Sequence, residues 1–143
     1  MKLSFVATLS AIALAVTSEA AESALRLYNL DNTKGNCRSF PIRAYDTCYT
    51  ISEFYLPRSA SFVNNDPHKS KLSVTFYETG NCGGKWTRAS GPMKNGIWNS
   101  WGKLGSVHSR AGSVLVHGAE TSNGDGKIDQ YKPAVIADWY NSC

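Results

Sequence analysis

Tyr28 and Tyr77 are each followed, after six intervening residues, by a glycine, Gly35 and Gly84, and later by a serine within a strand-like run, Ser61 and Ser113. The offsets between the two sets are 49, 49 and 52 residues, so the chain reads as one unit written twice. Each tyrosine closes an apolar stretch, Leu25 to Tyr28 in one case and Leu72 to Tyr77 in the other. A glycine just beyond a strand lets the backbone turn tightly with positive φ, and an aromatic ring can pack on the turn so made. A serine hydroxyl later in the unit can bond the turn's backbone and pin it. Each unit lacks a complete core of its own, so the two are expected to pack together as two sheets sharing strands.

Other segments agree with an all-β chain. Phe40-Pro41-Ile42, Tyr49-Thr50-Ile51 and Ser113-Val114-Leu115-Val116 are short and rich in β-branched or aromatic residues. Turn clusters separate them at Asp31–Gly35, Asn64–Pro67, Gly80–Gly84 and Asn95-Gly96. No stretch shows sustained helical periodicity with caps. Ala134 to Tyr140 fits a short helix, and Ile128 to Ile136 fits an extended segment as well. The 42% of hydrophobic and 18% of charged residues suit a globule and exclude coiled-coil, collagen-like and disordered chains.

Met1 to Ala20 reads as a secretory signal peptide, with Lys2 as the positive start, an apolar run from Leu3 to Val16, and small residues around a cleavage point after Ala20. The run is too short to span a bilayer, and no second one follows. What remains divides into a domain over residues 21–116 and a C-terminal extension over 117–143. An extracellular, oxidising compartment makes Cys37, Cys48, Cys82 and Cys143 two disulfides in preference to a zinc site or a nucleophile. Their spacing leaves all three connectivities open. Lys2 and Glu19 would leave together, so the net charge stays at +4, too small and scattered for a nucleic-acid partner.

The chemistry-bearing residues form no motif. A small secreted ribonuclease would combine a Glu, a His and an Arg, but nothing in the spacing of His68, His108, His117, Glu53, Glu78 and Glu120 imposes that set. There is no Gly-x-Ser-x-Gly either. No enzymatic activity, catalytic residue or cofactor is therefore expected. Thr121 to Asp129 looks like part of an EF-hand loop, yet counting Gly126 as position six puts Thr121 first and Lys132 twelfth, where acids belong. It reads as a polar turn, and no metal is expected there. The aromatic and basic stretch from Lys85 to Lys103 is the candidate binding surface, through Lys85, Trp86, Arg88, Lys94, Trp98, Trp101 and Lys103. Indole rings stack on sugars or sit at lipid headgroups, and the basic side chains attract anionic surfaces. At least one of Trp98 and Trp101 is expected to fill the core instead.

Phe76-Tyr77-Glu78 followed by Asn81-Cys82-Gly83-Gly84 resembles the Greek-key signature of the βγ-crystallin superfamily, with Tyr28, Gly35 and Ser61 as its first copy. The resemblance covers residues 25–116 and implies a double Greek-key β-sandwich. Among its secreted, cysteine-bearing members the chain is similar to killer-toxin-like proteins, to MiAMP-type antimicrobial proteins and to small crystallin-like proteins of fungi. That likeness implies pairing of Cys48 with Cys82 and of Cys37 with Cys143. The superfamily's calcium motif, two Asn or Asp residues followed by two others, a hydroxyl and the Greek-key Ser, is not matched. Leu56 and Pro57, or His108 and Ser109, stand at the acidic positions. Asn65-Asp66-Pro67-His68-Lys69-Ser70 comes near the motif but has Lys69 where a hydroxyl belongs and falls outside the repeat register. The function implied is that of a monomeric antimicrobial or killer-toxin-like protein, or a virulence effector. Its partner would be a cell-surface component or secreted target protein of another organism. A proteinase inhibitor is the alternative, and a small ribonuclease the third reading.

Overall fold

The computed structural model describes residues 22–140 and Cys143, and the signal-like segment lies outside the described residues. The chain is all-β, in two packed sheets. Its strands are β1 (Ser23–Leu30), β2 (Lys34–Ile42), β3 (Cys48–Thr50), β4 (Ser59–Val63), β5 (Lys71–Tyr77), β6 (Gly84–Pro92), β7 (Trp98–Trp101), β8 (Ser113–His117), β9 (Gly124–Ile128) and β10 (Ala134–Ile136). One sheet has the order β2-β1-β4-β7 and the other β10-β3-β8-β5-β6-β9. The third strand of each unit thus leaves its own sheet: β3 pairs with β8, and β7 pairs with β4. Neither unit is complete alone.

Alternation decides which residues face inward. Leu25 and Leu27 of β1, Val74 and Phe76 of β5, and Val114 and Val116 of β8 meet Phe40, Phe62 and Ile51 in one buried core. Arg26 and Tyr28, or Thr75 and Tyr77, then fall on the outer faces.

The two tyrosine–glycine hairpins are built alike. Gly35 has φ +81° and Gly84 has φ +79°, the left-handed region where a side chain is strained. A Cβ at either position would run into the side chain just after the tyrosine, Asn29 or Glu78. Those side chains are needed where they are: Asn29 Oδ1 accepts from the Asn36 amide at 2.7 Å, and Glu78 Oε1 from the Lys85 amide at 2.9 Å. Ser113 pins the second hairpin, accepting from the Cys82 amide at 2.8 Å and donating to the Thr79 carbonyl.

In the first unit that pin is Ser59 and not Ser61. Ser59 Oγ accepts from the Thr33 amide at 2.9 Å and donates to the Leu30 carbonyl at 2.6 Å. The ladder explains the correction, because Ser59 lies opposite Tyr28 just as Ser113 lies opposite Tyr77. Ser61 is on the same face one pleat further on, where its hydroxyl meets that of Ser100 at 2.8 Å.

The extension is woven into both sheets. Residues 118–123 cross the outer face of the second sheet at one end, where Ser73 Oγ donates to the Ala119 carbonyl and accepts from the Thr121 amide. β9 then pairs antiparallel with β6. The segment expected to be a turn at 121–129 is therefore largely this edge strand, since the open edge of β6 offers polar residues a hydrogen-bond ladder. Residues 129–133 cross back at the other end, with the Lys132 amide on the Asn81 carbonyl at 2.9 Å. β10 runs parallel to β3, which settles that stretch as extended. Beyond it, Ala137 is buried, Trp139 packs edge-on to Phe40 with centroids 5.0 Å apart, and Tyr140 bridges to Ser39 of β2. The cysteines join as Cys37–Cys143 and Cys48–Cys82, with Cα separations of 5.7 and 6.0 Å. Two disulfides in a chain of this size are consistent with an extracellular protein. Among the described residues no helix is long and apolar enough to cross a membrane.

Candidate functional site

The stretch from Lys85 to Lys103 is distributed over three places. Trp101 turns inward and packs edge-to-face on Phe76, centroids 6.2 Å apart. With Phe76, Leu104 and the exposed Lys103 it lines a cleft of about 100 Å³ between the sheets, too small for a ligand beyond a few waters. Lys85 is exposed on β6, opposite Lys127 of β9.

Trp98 and Lys94 belong to the first sheet's side. Trp98 lies opposite Val63 at the start of β7 and keeps 37% of its surface exposed. Its ring is covered on one face by the Arg26 guanidinium, 3.8 Å from the ring centroid, because Arg26 is on the outer face of β1. Ile97, 55% exposed, precedes it, and Lys94 is exposed in the same tight turn, closed by the Ile97 amide on the Lys94 carbonyl. Two cations, an indole and an aliphatic side chain therefore share one rim. The composition suits an anionic, sugar-bearing or interfacial surface.

Trp86 and Arg88 lie on the outer face of the second sheet, opposite Tyr77 and Thr75. The Arg88 guanidinium stacks on the Trp86 ring at 4.5 Å, and the ring lies over Gly126, where a Cβ would overlap it. Arg88 Nε donates to Thr75 Oγ1 at 2.7 Å, and that hydroxyl lies 2.9 Å from His117 Nε2. An arginine can only donate, so Thr75 accepts from Arg88, and the same oxygen shares a second hydrogen bond with His117 Nε2 whose direction is set by the imidazole tautomer. The other ring nitrogen, His117 Nδ1, faces Asp46 Oδ1 at 3.5 Å. Burial, with Arg88 and Lys132 nearby, lowers the His117 pKa against the pull of Asp46. Burial likewise raises the Tyr77 phenol, which Arg88 partly offsets.

Two of the residues considered for catalysis have partners of their own. Glu78 holds its hairpin, whereas His108 Nε2 is 2.7 Å from Asp31 Oδ1, which also takes Arg58 Nε at 2.9 Å. The His108 contact, followed by Arg58, holds the Asp31 carboxyl below the usual range. With Ser59 as the pin, Phe54 and Tyr55 stand at the acidic calcium positions and Arg58 at the hydroxyl. Among the described residues no three His, Cys, Asp or Glu side chains gather as a metal site. A larger cleft, about 360 Å³, is lined by Arg43, Tyr45, Asp66 and Glu22. Its polar groups are already paired, Arg43 with Glu22 and Asp138 and Tyr45 with Asp66.

Sequence reasoning named His117 only as a possible catalytic residue and missed Arg26, Thr75, Asp46 and Lys132. Comparison of the chain with models of known protein families, with curated proteins and with solved structures finds no match.

Proposed function

We propose that this chain is a secreted βγ-crystallin-like double Greek-key protein that acts, without enzymatic activity, as an antimicrobial, killer-toxin-like protein or virulence effector. Its partner is a cell-surface component or secreted target of another organism. The exchanged third strands and the two hairpins with equivalent pins support the fold. One observation carries the role: Trp98 stays at the surface with Arg26 stacked on it, beside exposed Ile97 and Lys94, on a sheet held rigid by the core. The Thr75–His117–Asp46 chain supports a non-enzymatic reading despite its likeness to a hydrolytic triad. Thr75 has no exposed surface, and Arg88 occupies its oxygen.

Purified, oxidised protein applied in parallel to yeast, bacteria and plant tissue tests this. Growth inhibition of a microbe identifies a toxin, and necrosis or immune suppression identifies an effector. Trp98→Ala should weaken surface binding about fivefold or more, as loss of an anchoring indole does, while the thermal midpoint falls by less than about 4 °C. Unchanged binding in Trp98→Ala and in Lys94→Gln would discard this surface.

A second reading, a proteinase inhibitor, is favoured by the loop after β3. Tyr55 is 81% and Leu56 45% exposed, on a loop tied by Phe54 to Ile51, Arg58 to Tyr28 and Ser109 to Pro57. Leu56 at φ +53° departs from the extended backbone a protease reads, and titration against a protease panel decides the matter.

A further inference from the structure

The frame formed by the C-terminal extension encloses charges that do not balance. Residues 118–123 cross one end of the second sheet's outer face, 129–133 cross the other, and β9 and β10 run along its two edges. Inside it are Arg88, Trp86, Tyr77, Thr75 and His117. Among the described residues no carboxylate lies within ion-pair distance of Arg88 or of Lys132. Asp46 is the acid of this cluster, and its side chain is spent on His117 and 65% exposed. A partly buried guanidinium without a counter-ion costs folding free energy, which stacking on Trp86 offsets only in part.

The arginine is nevertheless fixed. Its Nε is committed to Thr75, its flat face to Trp86 and one further N–H to the Tyr77 phenol, so the guanidinium is oriented while no carboxylate among the described residues takes its remaining N–H groups. A guanidinium held in this way presents a fork of parallel donors, the geometry that matches two oxygens of an oxyanion. Lys132 enters from the crossing segment, near enough for its charge to act on His117. A second cation from another direction suits a tetrahedral group with a third oxygen to place.

We propose that the framed outer face of the second sheet is a binding site for a phosphate or sulfate group, clasped by Arg88 and Lys132 beside His117. It is separate from the Trp98 rim and does not depend on that rim's role. The anion supplies the missing negative charge, and the half-buried Trp86 gives the carrier of the anion an apolar neighbour.

The test is a titration of the oxidised mature chain, followed by NMR of the Arg88 Nε–H and the His117 ring. Inorganic phosphate, a sulfated disaccharide, and phosphatidylcholine vesicles with and without phosphatidic acid are the separate probes. At least one should bind saturably, moving both signals and raising the His117 pKa as the anion offsets Arg88 and Lys132. Which probe binds best distinguishes a free ion, a glycan and a lipid headgroup. Arg88→Met should weaken that binding about tenfold or more, the loss expected for a charge-assisted pair. Lys132→Gln, on an exposed side chain, should weaken it about threefold, since a lysine acts as a point charge. Should Arg88→Met fail to fold, the wild-type shifts and Lys132→Gln decide. Shifts linear in concentration for every probe, or saturable binding unchanged by either substitution, would overturn the proposal.

Discussion

The two tyrosine–glycine hairpins share one construction but have opposite surroundings. In the second, Tyr77, Cys82, Gly83 and Gly84 are buried, and Cys82 ties the turn to β3 through Cys48. In the first, Lys34, Gly35 and Asn36 are exposed, and Asn32 and Thr33 both sit at positive φ, at 58° and 57°. A β-branched residue there is strained, and the Ser59 hydroxyl bonded to its amide helps keep it in place. The contrast shows that the extension, and not the repeat, separates the halves. By covering the second hairpin it made that outer face the floor of a polar cluster, while the first sheet kept an open face for Arg26 and Trp98.

Disulfide removal should break the comparison most strongly, because each hairpin carries one bridge. Cys37 on β2 closes a separation of 106 residues to Cys143, and Cys82 closes 34 residues to Cys48. Loop-closure entropy alone assigns about 4.8 and 3.8 kcal/mol respectively. The order should nonetheless reverse for Ser substitutions. Cys48 and Cys82 are buried against Tyr77 and Leu115, where two new hydroxyls each add a desolvation cost of about 1–3 kcal/mol. Chemical unfolding of the two double-serine variants measures this, and a larger loss from Cys37→Ser with Cys143→Ser would mean that the extension outweighs the buried hairpin.

The pinning serines should give a smaller effect in the same direction. Ser113→Ala leaves the Cys82 amide and the Thr79 carbonyl without that partner in a buried site, and should cost about 2–3 kcal/mol. Ser59→Ala does the same to Thr33 and Leu30 nearer solvent, and should cost about 1–2 kcal/mol. Ser61→Ala removes one hydroxyl contact with Ser100 and should cost less than about 1 kcal/mol. Equal losses at Ser59 and Ser61 would mean that the first hairpin is not pinned as the second is.

That series also marks how far the sequence could be read. Short runs of β-branched and aromatic residues, several of them alternating, announced β1, β2, β3, β5 and β8. β6 and β9 were silent, since Gly84–Pro92 and Gly124–Ile128 are rich in glycine and polar residues and pair on a sheet's rim. Ser59 and Ser61 share a face, so only the pairing of β1 with β4 selects between them. The same holds for the candidate sites. Leu25-Arg26-Leu27 puts Arg26 outside by alternation, but which tryptophan it meets depends on β7 crossing to the first sheet. Arg88, Thr75 and His117 come together only through the registers of β6 and β8 on β5.

The weakest effect, and the most selective, is in pH. His117 titrates in the folded protein below the usual value, because burial, Arg88 and Lys132 disfavour its charged form. The unfolded chain therefore takes up a proton that the folded one refuses, and stability falls as pH drops below about 6.5. Asp31 also titrates below its ordinary value, but through contacts to its charged form from His108 and Arg58. Its contribution is fully present above about pH 4 and is lost as the pH falls through the folded value. Asp66 and Asp125, lowered chiefly by hydrogen bonds from Tyr45 and Thr87, add to that acid branch. Thermal midpoints from pH 8 to 3 should thus show two declines, one near neutrality and one in acid. His117→Gln should flatten the near-neutral one only, and Asp31→Asn should reduce the acid one only. A single decline insensitive to His117→Gln would show that the framed face admits a protonated imidazole as readily as water does, and that its two cations exert no field on their neighbour.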